Sequence, residues 1–200
     1  AAAAGHIVSD HAPANLWLDF RFVTLASGMA LGLFAQAGLI PHMFSLLVPA
    51  LGPQAAGALA GAATASAILG RTLVGWLMPR NANRRLVAAA NYAVQMLGCI
   101  AFFAADGANI PLLAAGVILF GFGIGNTTSL PPLIAQADFA PAMTMRVVSL
   151  TAAVSQGTYA FAPAAFGLLR DLSGAGAQSG VAPHVFVAAA LLQAVAAACY

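Results

Sequence analysis

Apolar residues run along this chain in long blocks, and polar residues gather at the breaks between them. A membrane-spanning helix needs about 20 mostly apolar residues. Six stretches meet or approach that length: Phe20 to Leu47, Gln54 to Met78, Leu86 to Ala105, Ile110 to about Ala137, Met145 to Leu169, and a last one from near His184 to Tyr200. Val48 to Pro53, with two prolines and a glycine, reads as a turn. Asp106-Gly107 ends the third stretch, Asp138 to Thr144 follows the fourth, and Arg170 to Pro183 follows the fifth. Pro131-Pro132 is expected to bend the last part of the fourth. Residues 1–19 are mixed, with His6, Asp10, His11 and Asp19, and read as the end of a polar linker.

Composition closes off the soluble reading. Hydrophobic residues make up 62% and charged residues 6% of the 200, against about 25% charged in an ordinary globular domain. Seven Arg and five Asp carry all the formal charge, a net +2, too little for the dense basic face that nucleic-acid binding needs. The expected fold class is all-α, a polytopic membrane helical bundle of six transmembrane helices. Cys99 and Cys199 each lie in an apolar stretch without a ligand-spaced partner and read as small buried hydrophobes. His6 and His11 also lack companions for a metal site.

Arginine placement then sets an orientation. With alternating helices, one side receives Arg21, Arg80, Arg84, Arg85 and Arg146, with Arg71 just inside it; the other receives Arg170 alone. The positive-inside rule makes the first side cytoplasmic, residues 1–19 and 79–85 included. Gly38-Leu39-Ile40-Pro41 in the first stretch and Gly125 with Pro131-Pro132 in the fourth interrupt oppositely directed helices at corresponding places. A 3+3 inverted repeat would do this, and such interruptions point to a transport site. They are also common in membrane helices generally.

The segment Ile68 to Arg85 carries Gly70-Arg71-x-x-x-Gly75 and continues through Leu77, Arg80 and Arg84. It resembles the loop signature Gly-x-Leu-x-Asp-Arg-x-Gly-Arg-Arg of the major facilitator superfamily. Gly75, Leu77, Arg80 and Arg84 stand at matching positions. Pro79 stands where the signature carries an acid, Ala82 at its second glycine, and Asn83 at the first basic position after that glycine, with Arg85 as an extra. Gly157 and Ala162-Pro163-x-x-x-Gly167-x-x-x-Asp171 resemble a second family pattern, Gly-Pro-x-x-x-Gly-x-x-x-Asp. Gly121-x-Gly123-x-Gly125 meets the same need for close helix packing.

The resemblance is to the C-terminal six-helix half of that twelve-helix family and covers Phe20 to Tyr200. It implies a fragment of a secondary transporter, working by alternating access on a small, organic solute. It implies a multi-pass protein of the plasma (inner) membrane, with residues 1–19 as the end of the central cytoplasmic linker and 20–200 as the half-domain. The partners are then the solute, the lipid bilayer and the N-terminal half of the same chain. No bound cofactor is expected, and coupling to a proton or another ion stays open. The resemblance further implies that the first, second, fourth and fifth helices line the cavity, while the third and sixth are peripheral.

Depth picks candidates among polar residues on those four helices. Gln36 lies 16 residues into the first, about 24 Å along it. Asn126 lies at a similar depth in the fourth, and Gln156 and Tyr159 sit in the middle of the fifth. These neutral groups can orient a solute or join helices by hydrogen bonds. His42 can relay a proton or stay neutral against a facing helix. Arg71 can snorkel to the cytoplasmic interface, cap a helix or meet an anion; with Gly70, Gly75, Arg80 and Arg84 it belongs to the gating loop. Thr127, Thr128 and Ser129 are expected to bond their own helix, and Asn91 and Gln95 to pack. Enzyme signatures such as Gly-x-Ser-x-Gly or His-Glu-x-x-His do not occur, so no enzymatic activity is expected. The competing reading is a non-transporting membrane scaffold or transporter-like receptor, whose polar residues would face neighbouring helices rather than one hollow.

Overall fold

The computed structural model describes residues 15–79, 81–174 and 181–200, and these are helical without a strand among them. A 3-10 turn, Leu16–Leu18, leads into α1 (Phe20–Leu77), followed by α2 (Arg84–Ala105), α3 (Ile110–Asp138), α4 (Pro141–Tyr159), α5 (Ala162–Asp171) and α6 (Pro183–Ala198). α1, α2 and α3 are each long and apolar enough to cross a membrane. α6 is equally apolar but has only 16 residues.

Short polar caps start the helices. Asp19 accepts from the Arg21 amide at 2.8 Å, and Asn83 from the Arg85 and Leu86 amides at 3.1 and 3.2 Å. Asn109 caps α3 through Leu112 at 3.2 Å. Each side-chain oxygen satisfies an amide with no partner inside its helix. Prolines occupy the first turn of α3, α4, α5 and α6, where a missing N–H costs nothing. Asp106 closes α2 in the left-handed conformation (φ 46°, ψ 39°), and Gly107 follows at φ 68°.

Two boundaries differ from the expectation. The turn over Val48 to Pro53 shrinks to one residue. Gly52 at φ 75°, ψ 163° is the non-helical link dividing α1 into a first limb (20–51) and a second (53–77). Glycine adopts that φ freely, and Pro53 then restarts a helix in its favoured position. The fifth stretch is split in the other direction. α4 ends at Tyr159 and α5 begins at Ala162, because Pro163 has no N–H to offer the Tyr159 carbonyl; Ala160 and Phe161 between them keep right-handed helical dihedrals. The Phe161 amide bonds instead to Thr158 O at 3.2 Å, tightening the junction. Through Pro131-Pro132, by contrast, α3 stays helical.

α3 lies between α1 and α2 and also touches α4; α6 packs on α2 and α1, while α4 and α5 pack on α1. The seam between α3 and the second limb of α1 is made of small residues. A Cβ on Gly121 would strike the Ala63 backbone, one on Gly125 the Ala67 carbonyl, and one on Gly70 the Phe122 carbonyl. Such contacts require backbones that nearly touch. Gly123 instead faces Gln95 of α2. Cys99 is buried in the core, Cys199 is partly buried, and both are free thiols.

One end of the bundle is tied by arginine. Arg85 Nε pairs with Asp138 Oδ2 at 2.7 Å, its Nη1 donates to Thr24 Oγ1 at 2.9 Å, and its Nη2 to the Arg21 carbonyl at 2.8 Å. Arg21 donates to the Asp138 carbonyl at 3.1 Å and lies over the Phe139 ring. Arg84 donates to the Leu133 carbonyl at 2.8 Å. The start of α1, the start of α2 and the end of α3 are thereby joined. Residues 15–19 of the expected linker are part of this end, with Leu16 buried against the bundle. Arg80, His6 and His11 lie outside the described residues.

Candidate functional site

A groove of about 420 Å³ opens among the described residues. The first limb of α1 contributes Leu33, Gln36 and Ile40 to it; the second limb contributes Thr64, Ala67, Ile68, Arg71 and Thr72. α3 adds Ile124, Gly125 and Thr128, and α4 adds Tyr159. Neither α2 nor α6 reaches it. Two smaller crevices, about 250 and 210 Å³, lie between α2 and α6 with mainly apolar walls. Of these three, the groove is the one that combines apolar walls with several converging polar groups, the usual make-up of a small-molecule site.

Gly125 puts Arg71 there. Because α3 and the second limb approach so closely at this glycine, Arg71 Nε reaches across to the Gly125 carbonyl at 2.9 Å. Its Nη2 stands 3.4 Å from Thr128 Oγ1. Ser129 Oγ donates to the same Gly125 carbonyl at 2.6 Å. Arg71 has no ion pair among the described residues, where the two salt bridges are Arg21–Asp19 and Arg85–Asp138.

Gln36 is buried at the groove's inner wall. Its Nε2 donates inward to Gln95 Oε1 at 2.7 Å and to Thr127 Oγ1 at 2.6 Å. Gln193 of α6 donates to the same Gln95 oxygen at 3.2 Å. A polar string thus runs from the groove through α2 to α6. Gln95 Nε2 and Gln193 Oε1 remain without partners in it. Gln193 escaped the sequence argument, since a lone amide on a short apolar helix carries no pattern.

The other expected site residues separate. Tyr159 lines the groove with about half its surface free. Asn126 does not: it is 1% exposed and its Nδ2 donates to Asn91 Oδ1 on α2 at 3.1 Å. Asn91 in turn donates to the Gly123 carbonyl at 3.1 Å. Gln156 is exposed on α4 away from the groove lining. His42 is half-buried, with Nε2 3.5 Å from the Pro163 carbonyl of α5, also off the groove. Of the loop residues, Gly70 is buried in the seam, Gly75 faces open space, and Arg84 belongs to the tied end. Thr127 and Ser129 bond to carbonyls four residues back in their own helix, as expected, whereas Thr128 turns to the groove. Among the described residues no cluster of His, Cys, Asp or Glu could hold a metal ion.

Comparison of the chain with protein-family models, with curated proteins and with solved structures finds no match in any of the three.

Proposed function

We propose that this chain is half of a secondary transporter, which binds a small organic solute in the groove and works by alternating access against a second helical half. One observation carries the reading. The groove is walled by both limbs of α1, by α3 and by α4, the four elements expected to face a transport cavity, and by neither of the two expected to be peripheral. Under this proposal the limbs of α1 are two crossings and α4 with α5 one bent crossing, so that the chain has six in a 3+3 arrangement. On this reading the tied arginine end is cytoplasmic, as the positive-inside rule requires. The resemblance of the Ile68 to Arg85 segment to the major facilitator signature supports the same conclusion.

The scaffold or receptor reading draws its support from Asn126 and Gln156, which lie off the groove. Accessibility separates the two. In the full-length protein, with Cys99 and Cys199 replaced, Thr64→Cys on the groove wall is exposed to a membrane-impermeant maleimide from either side of sealed vesicles. A transporter exposes this position alternately, so labelling is expected from both sides. Labelling confined to one side rejects alternating access.

A further inference from the structure

The geometry points to a small organic monocarboxylate as the solute of this groove, with Arg71 as its charge partner. This rests on the groove being a solute site, as proposed above, and adds the sign and number of charges on the solute.

Arginine has five N–H donors in a planar fork. Arg71 uses one, on Nε, for the Gly125 carbonyl at 2.9 Å, and directs a second toward Thr128 at 3.4 Å. The remaining donors have no partner among the described residues, and no carboxylate of those residues pairs with this side chain. The surrounding walls are Leu33, Ile40, Ile68 and Ile124. Arg71 is exposed along the groove, so these donors are open to a solute entering between apolar walls, where a charged partner is worth more than in bulk water.

A long cation in a membrane helix usually snorkels to the membrane face. Arg71 is seven residues from the C-terminal boundary of the second limb at Met78, about 10 Å along the axis, within reach of a long side chain. Yet its Nε is bonded sideways, across the seam to α3, so the guanidinium lies in the groove rather than along the helix. Anchored by Nε, the fork presents its Nη groups to the hollow. A planar carboxylate is the group that matches such an edge through two parallel hydrogen bonds.

The rest of the lining limits the solute further. Arg71 is the one charged residue on the wall; the other polar groups are hydroxyls and an amide. This half of the cavity therefore offers one cation and matches one carboxylate, which sets the monoanion as the solute to test. The aliphatic walls suit a short hydrocarbon or aromatic body, and about 420 Å³ falls in the range of sites for small organic molecules.

The test compares near-isosteres that differ in charge. Full-length protein in lipid nanodiscs at neutral pH is titrated with benzoate and hexanoate, with benzamide and hexanamide, and with the dianion adipate, and thermal unfolding is followed. Benzoate or hexanoate should raise the unfolding temperature, while the amides and adipate leave it nearly unchanged. Arg71→Gln should weaken the carboxylate effect by about tenfold or more, and Arg71→Lys by less, since a single ammonium keeps the charge but not the fork. Should Arg71→Gln fail to fold, the carboxylate–amide comparison on the unaltered protein decides alone. Equal stabilisation by amides, a stronger effect of adipate, full retention in Arg71→Gln, or no effect of either monocarboxylate each overturns the inference. Thr64→Cys labelled from both sides without carboxylate binding leaves transport standing and removes the anion. Carboxylate binding that depends on Arg71, with one-sided labelling, does the reverse.

Discussion

Arg85 and Arg71 sit in the same bundle, one partly buried near the start of α2 and the other exposed on the groove within the second limb of α1, and their partners differ. Arg85 donates to a carboxylate, a hydroxyl and a carbonyl, and its side chain is 19% exposed beside an Asp138 that is 23% exposed. Protein groups compensate its charge fully, and its role is structural, joining three helix ends. Arg71 receives one carbonyl at good distance and a distant hydroxyl, and no carboxylate. Its charge has no carboxylate partner among the described residues, which is what the proposed anion site rests on. The number of arginines in the two regions says nothing about this; the count of partners around each guanidinium does. Arg146 marks a third case, exposed near the start of α4 at the tied end, where water and headgroups can serve it.

The largest change to that contrast should come from the seam that holds Arg71 in place. Gly125→Val would drive a side chain into the Ala67 carbonyl and against Arg71 Cβ. A cost of about 3 kcal/mol is expected from overpacking two backbones, read by denaturant unfolding in nanodiscs, with carboxylate binding lost as well. Normal stability would mean that the helices do not cross so closely. Asp138→Ala should come next. It leaves Arg85 partly buried without its carboxylate and is expected to cost about 2 kcal/mol. Arg85→Ala in the same background should then cost less than Arg85→Ala alone, since the carboxylate contact is already gone and only the bonds to Thr24 and the Arg21 carbonyl remain to be lost. Simple additivity of the two substitutions would show that the pair is not coupled. The smallest effect on folding belongs to Arg71→Gln. It removes one interhelical hydrogen bond, worth about 0.6 kcal/mol on average in membrane bundles, and also a charge with no carboxylate partner among the described residues. Stability should therefore stay within about 0.5 kcal/mol of the unaltered protein while carboxylate binding falls. A loss as large as that of Asp138→Ala would place Arg71 with Arg85 as a structural residue.

Much of the helical framework was legible from local chemistry. The apolar blocks put helix starts at Phe20, Leu86 and Ile110, within two residues of those found, where Asp19, Asn83 and Asn109 accept from backbone amides. Asp106-Gly107 ends a helix because both residues tolerate positive φ. The Val48 to Pro53 segment misled because two prolines and a glycine look like a loop. Yet Pro49 sits within the first limb, and only Gly52 leaves helical geometry. The site was harder to read. Depth along a helix follows from a fixed rise per residue, which placed Gln36 and Asn126 at similar levels. Direction around the helix did not follow. α3 is apolar on nearly every face, so no stripe marks which side meets a groove and which meets α2. Asn126 faces α2 while Thr128, two residues on, faces the groove.

The sequence by itself determined that this is an all-helical, strongly apolar chain with arginines gathered at one set of helix ends, because hydropathy, caps and breaks act over a few residues at a time. Only the tertiary structure decided which arginine meets a carboxylate among the described residues and which does not. That depends on a glycine seam bringing α3 within reach of Arg71 and on Asp138 arriving beside Arg85 from 53 positions away. Contacts between residues so distant in the chain are set by how helices pack, and no local pattern encodes them.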